Sequence, residues 1–207
     1  MNLDDWHLVF VSVCLVLMLG VFGPIAMAYF PRGQERFFAL AVLGEEGMAD
    51  KYYPGDDPNI GVGETVNWTL YVYNHMGEAQ YVAVRVKLLN STMLPPNSTV
   101  CVPSPAPMVY EIRDVLVNNE TRLHPFRWSV EEFGGFGDFV GVSLLSVNGD
   151  LVEADAFSRD GYNFRLVFEL WVFDEKLDDF RFGWSSGDEP RCVWNQVWFN
   201  STRIEGL

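Results

Sequence analysis

The chain has 207 residues, with 28 acidic and 14 basic side chains and a net charge of −14 at neutral pH. That sign repels nucleic acid and anionic lipid headgroups, so neither is an expected ligand. The three histidines, His7, His75 and His124, have no ligand-like spacing to a cysteine, which argues against a metal site.

A short segment, 1–7, precedes an uncharged apolar run from Leu8 to Phe30. About 20 apolar residues span a bilayer core, so 8–30 is expected to be a transmembrane signal-anchor helix. Trp6, His7, Tyr29 and Phe30 resemble interfacial belts at its two ends. A cleaved signal peptide competes, because Ala26-Met27-Ala28 has the small-x-small pattern of a cleavage site. Against it, Met1 to Trp6 carries Asp4 and Asp5 and no basic residue. Residues 31–36 read as a linker. Arg32 and Arg36 would place it in the cytoplasm, but the bias is only two residues.

Five Asn-x-Ser/Thr sequons follow the run: Asn67, Asn90, Asn97, Asn119 and Asn200 begin them. With 12 Asn in the chain and Ser plus Thr near 8%, chance gives roughly one. The excess marks the five as expected glycosylation sites and places residues 37–207 outside the cell. The localisation expected is a single-pass cell-membrane protein with its carboxy-terminal domain extracellular. Without Arg32, Arg36, Asp4, Asp5 and Glu35, that outer part has a net charge of −13.

The outer part reads as strands. Val66, Trp68, Leu70 and Val72 alternate with Asn67, Thr69 and Tyr71, which predicts a half-buried strand over Thr65 to Tyr73. Val82, Val84, Val86 and Leu88 repeat the pattern, with Arg85 and Lys87 outward, and Asn74 to Glu78 form a hairpin loop between the two. Phe37 to Leu43, Met108 to Leu116, Phe126 to Val130, Val140 to Val147, Asn163 to Phe173 and Cys192 to Phe199 complete the set. Turn signals such as Pro95-Pro96-Asn97 and Asn148-Gly149-Asp150 separate them. The stretch from Gly134 to Gly161 is the least regular. About eight short strands at this spacing argue for a β-sandwich.

Phe38-Ala39-Leu40-Ala41-Val42-Leu43-Gly44, Gly47-Met48-Ala49, Tyr53-Pro54, Val62-Gly63-Glu64-Thr65-Val66 and Val72-Tyr73-Asn74-His75 occur in that order. The order resembles an archaeal membrane family known as domain of unknown function 1616. The Val-Gly-Glu to Asn-His part is similar to adhesion-related immunoglobulin-like modules. The resemblance implies an archaeal, outward-facing immunoglobulin-like β-sandwich and carries no activity. The fold class expected is therefore all-β, with one transmembrane helix before the sandwich.

Cys101 and Cys192 are the only cysteines in the outer part, and outside a cell such a pair is expected to form a disulfide. Asp174, Glu175, Asp178 and Asp179 could offer oxygen ligands to calcium, with Asp56, Asp57, Asp188 and Glu189 as lesser candidates, but none matches an ordered calcium loop. Trp171 and Phe173 lie opposite the core-like residues of their strand and could form an interface or stack on sugars. A hydrolase would need two carboxylates across a cleft. No nucleophile–base motif and no phosphate-binding glycine loop occurs, so no cofactor is expected. The function expected is non-enzymatic: contact with a protein partner or a second copy at the cell surface, with glycan binding as the alternative.

Overall fold

The computed structural model describes residues 3–29, 35–136, 138–186 and 189–201. Side chains are described for these residues except at 3–5, 23–29, 136 and 186. The chain divides into two compact units, 1–35 and 36–207.

The first unit holds one helix, α1, Leu3–Tyr29. The apolar side chains from Leu8 to Phe22 are exposed apart from the half-buried Cys14, and the Ser12 hydroxyl donates back to the Leu8 carbonyl at 2.8 Å. Among the described residues no helix is long and apolar enough to cross a membrane. This corrects the expected transmembrane anchor over 8–30.

The second unit contains thirteen described strands: β1 Phe37–Leu43, β2 Asn59–Ile60, β3 Val66–His75, β4 Gln80–Leu89, β5 Met108–Leu116, β6 Thr121–Phe136, β7 Phe139–Val147, β8 Asp150–Arg159, β9 Phe164–Asp174, β10 Asp179–Phe182, β11 Trp184–Ser186, β12 Glu189–Arg191 and β13 Trp194–Ser201. One sheet has the order β1-β3-β6-β7-β8 and the other β2-β13-β9-β4-β5, with β10 also on β9. The chain crosses between the sheets after β1, β2, β3, β5 and β8. The β4–β5 hairpin thus leaves β3 and β6 side by side in the opposite sheet, a Greek-key connection.

Alternation drives this packing. In β3, Val66, Trp68, Leu70 and Val72 are buried while Asn67 is exposed. Trp68 sits at the centre of the core, its ring 6.2 Å from Phe126, 5.1 Å from Trp128 and 6.1 Å from Phe168. Pro125 lies in the part of β6 that β7 does not reach, where its missing N–H costs no second ladder bond.

The stretch read as least regular is a long meander of β6, β7 and β8. Register shifts near Glu132 and Val142 break its period of two. On β9, the edge away from β4 is shared. Phe164 to Glu169 pair with β13, and Trp171 to Asp174 pair with β10. Between these two partners the β11–β12 hairpin loops out. Gly183 makes that exit with a φ of 82°. A Cβ there would lie 2.3 Å from the Arg191 carbonyl oxygen, so a close backbone approach requires glycine.

Candidate functional site

β9 is buried from Phe164 to Leu170, on both faces. The inner face meets the other sheet. The outer face is covered by residues 90–107, the connection from β4 to β5. Its five prolines, Pro95, Pro96, Pro103, Pro105 and Pro107, restrict the unfolded connection and lower the entropy lost when it lies flat.

Beneath that cover is a charged cluster. Lys87, expected to point outward into solvent, is instead buried. Its Nζ lies 3.0 Å from Glu169 Oε2 and donates to the Ser104 carbonyl at 2.5 Å. Glu169 is fully buried and its carboxylate is well satisfied. It also accepts the Ser104 backbone N–H at 2.7 Å and Trp171 Nε1 at 3.0 Å. A buried carboxylate with this many donors is a structural tie between cover and sheet.

Arg85 stands directly across the strand pair from Glu169. Its guanidinium lies over the Trp171 ring at 4.0 Å, and its Nε donates to Glu111 Oε2 at 2.7 Å. Burial alone would raise the Glu111 carboxyl; hydrogen bonds and charge from Arg85 and Arg113 outweigh it and hold the group below its usual range.

Trp171 is therefore half-buried, with Arg85 on its face and the Phe182 ring 5.9 Å away. It offers no open platform for a sugar ring. Phe173 packs on Tyr81 and Phe180, at 5.7 Å and 5.5 Å. With Tyr81, Val115, Asp174, Glu175 and Arg181 it lines an open hollow of about 640 Å³ beside β5. That strand pairs only with β4 among the described strands, so its other backbone edge carries no ladder.

A second open hollow, about 480 Å³, is lined by Thr65, Arg127, Trp128, Ser129, Glu131 and Asn148 among others. Glu131 is its sole carboxylate and no histidine lines it, so it lacks the paired acids of a glycoside hydrolase.

Cys101 and Cys192 are free thiols, which corrects the expected disulfide. The fold nonetheless brings them together. The two Sγ atoms approach the same Ser98 carbonyl, at 3.8 Å and 3.9 Å. Burial, then the hydrogen bond and charge of Cys101, push the Cys192 thiol up to about 12.

Among the described residues no group of three or more His, Cys, Asp or Glu side chains could hold a metal ion. Asp174 instead pairs with Arg181 at 3.5 Å and accepts the Lys176 backbone N–H. Asp57 accepts from Asn59. Asp188 lies outside the described residues.

The sequon asparagines divide by environment. Asn67, Asn97 and Asn119 are exposed, whereas Asn90 and Asn200 are partly buried. Thr202, which completes the last sequon, lies outside the described residues. Buried Asn74, by contrast, is a turn pin. Its Nδ2 donates to the Glu78, Leu116 and Val117 carbonyls and its Oδ1 accepts the Met76 N–H.

No protein-family model and no curated protein matches the chain, so the resemblance to domain of unknown function 1616, drawn from Phe38 to His75 and from Tyr162 to Phe168, has no support beyond those residues. Solved structures similar to it include the CARDB domain of the PF1109 protein from Pyrococcus furiosus, in complex with di-metal ions. That domain is 11% identical, over 83% of this chain and 98% of its own, with a TM-score of 0.40. A β-glucosidase from Listeria innocua in complex with isofagomine is 10% identical over 81% of this chain and 16% of its own, with a TM-score of 0.37. The C-terminal domain of wzt is 7% identical over 82% of this chain and 79% of its own, with a TM-score of 0.35.

Proposed function

We propose that residues 36–207 form an exported, N-glycosylated domain that acts at a cell surface by protein contact, as an envelope component or an accessory subunit. The observation that carries this reading is the open hollow over the ends of β4 and β9 that reaches Val115 of β5. Tyr81, Val115 and Phe173 give it an apolar floor, with Asp174, Glu175 and Arg181 around them. The open backbone edge of β5 beside it suits an added strand from a partner. The five sequons support export. The covered Trp171 removes the main platform for the glycan-binding alternative.

Native mass spectrometry of the full chain purified from its own host tests the reading. A stoichiometric second polypeptide, or a second copy, is expected. Val115→Lys, at a side chain 54% exposed, is expected to abolish that association with an unchanged unfolding temperature. A strictly monomeric protein overturns it.

A further inference from the structure

We infer that N-linked glycans occupy Asn67, Asn97 and Asn119, and that Asn90 and Asn200 stay bare. The inference rests on the proposed export through a glycosylating compartment. It follows from which atom of each asparagine the fold already uses.

Glycan transfer needs the side-chain nitrogen. Nδ2 attacks the anomeric carbon of a lipid-linked oligosaccharide phosphate. An N–C bond forms, the C–O bond to the phosphate breaks, the lipid phosphate leaves, and Nδ2 loses one proton. The asparagine must therefore present a free amide nitrogen with open space beyond it.

Three sites do so. Asn67 is exposed on the outer face of β3, opposite exposed Arg127, and among the described residues its amide has no hydrogen-bond partner. At Asn97 only the carbonyl side is held. Its Oδ1 accepts the Thr99 N–H at 2.9 Å and the Val100 N–H at 3.4 Å, and Nδ2 has no partner among the described residues. Asn119 is alike in this. Its Oδ1 accepts the Tyr73 hydroxyl at 3.2 Å and lies 2.5 Å from His75 Nδ1, and its backbone has a φ of 63° at a turn. At both, a fixed carbonyl orients the amide nitrogen while leaving it unused.

The other two spend that nitrogen on the fold. Asn90 Nδ2 donates to the Phe157 carbonyl of β8 at 2.6 Å. Its Oδ1 accepts the Thr92 N–H, the Thr92 hydroxyl and the Met93 N–H. The Asn90 amide thus ties the end of β4 to the last strand of the opposite sheet. Asn200 Nδ2 donates to Asn59 Oδ1 at 3.1 Å, and its Oδ1 accepts the Asn163 N–H at 3.0 Å. It joins β13 to β2 and to the entry of β9. A sugar on either nitrogen has to displace a neighbouring strand.

Glycopeptide mass spectrometry of the full chain from its own host reads occupancy at each sequon. Glycan masses on the peptides holding Asn67, Asn97 and Asn119, with Asn90 and Asn200 unmodified, are expected. A glycan on Asn90 or Asn200, or a bare Asn67, Asn97 or Asn119 beside occupied ones, overturns this assignment alone. A chain with no glycan anywhere overturns it together with the export reading. A second measurement checks its physical basis. Asn90→Gln and Asn200→Gln are expected to lower the unfolding temperature by several degrees, while the same change at Asn67 leaves it unmoved. Equal effects at all three overturn the division.

Discussion

Lys87 and Glu169, on neighbouring strands, form an ion pair that water does not reach, 3.0 Å from Nζ to Oε2, under the backbone of Ser104. Each side chain alone would be an uncompensated buried charge. Lys87→Ala is therefore expected to destabilise the domain by about 3–5 kcal/mol in denaturant unfolding. Lys87→Met combined with Glu169→Leu is expected to recover most of that loss, because a buried pair replaced by apolar groups is close to neutral. A double variant no more stable than the single one refutes this account.

Two groups give stability opposite ends of a single acid window. The Glu111 carboxyl is held below its usual 4.5. Its contribution is complete above that value and is lost as pH falls through the lowered folded value. Burial holds the His124 imidazole below its usual 6.5, against the pull of Asp114 and with the push of Arg122. The unfolded chain therefore binds that proton first, and stability falls as pH drops below 6.5. Thermal unfolding across this range is expected to decline in two stages. His124→Gln is expected to remove the upper stage and Glu111→Gln to flatten the lower.

The thiols of Cys101 and Cys192 share one carbonyl neighbour, so mild oxidation is expected to join them with little movement. Intact mass would fall by two hydrogens, and the cross-link would add roughly 4 kcal/mol in the chain-entropy view. Because the Cys192 thiol is pushed up to about 12, Cys192 is expected to alkylate slowly near neutral pH. Rapid labelling of both after oxidant treatment counts decisively against the pairing.

Gly183→Ala places a Cβ 2.3 Å from the Arg191 carbonyl oxygen, at a φ of 82°. A loss of roughly 2 kcal/mol or more is expected in unfolding experiments. Gly149→Ala shares the positive φ but meets nothing within 4 Å, so it is expected to cost less. Equal losses would mean that crowding at Gly183 is absent.

The inward faces of β3, β4 and β9 were legible because period-two alternation has one cause, burial against the opposite sheet. Lys87 was misread for the same reason. Alternation reports the first covering layer, and the second came from a proline-rich connection whose destination no local pattern encodes. Pro95-Pro96-Asn97 reads only as a turn signal, and nothing in it points to the sheet beneath. The meander through β8 was obscured by bulges near Glu132 and Val142, which shift alternation by a residue. The sequons were legible as motifs. Which of their nitrogens are in use depends on contacts from strands far away in sequence, as Asn90 with Phe157 shows.

The shared edge of β9 also sets an order of events during synthesis. Over Phe164 to Glu169 its partners are β4, made long before it, and β13, made after it. Until residues near Trp194 emerge, Phe164 to Glu169 have a bare hydrogen-bonding edge flanked by large apolar side chains. Such distant pairing slows folding. The nascent domain thus has a sticky interval that closes only when β13 docks, and a chain cut before Trp194 is expected to aggregate rather than fold to a smaller sandwich.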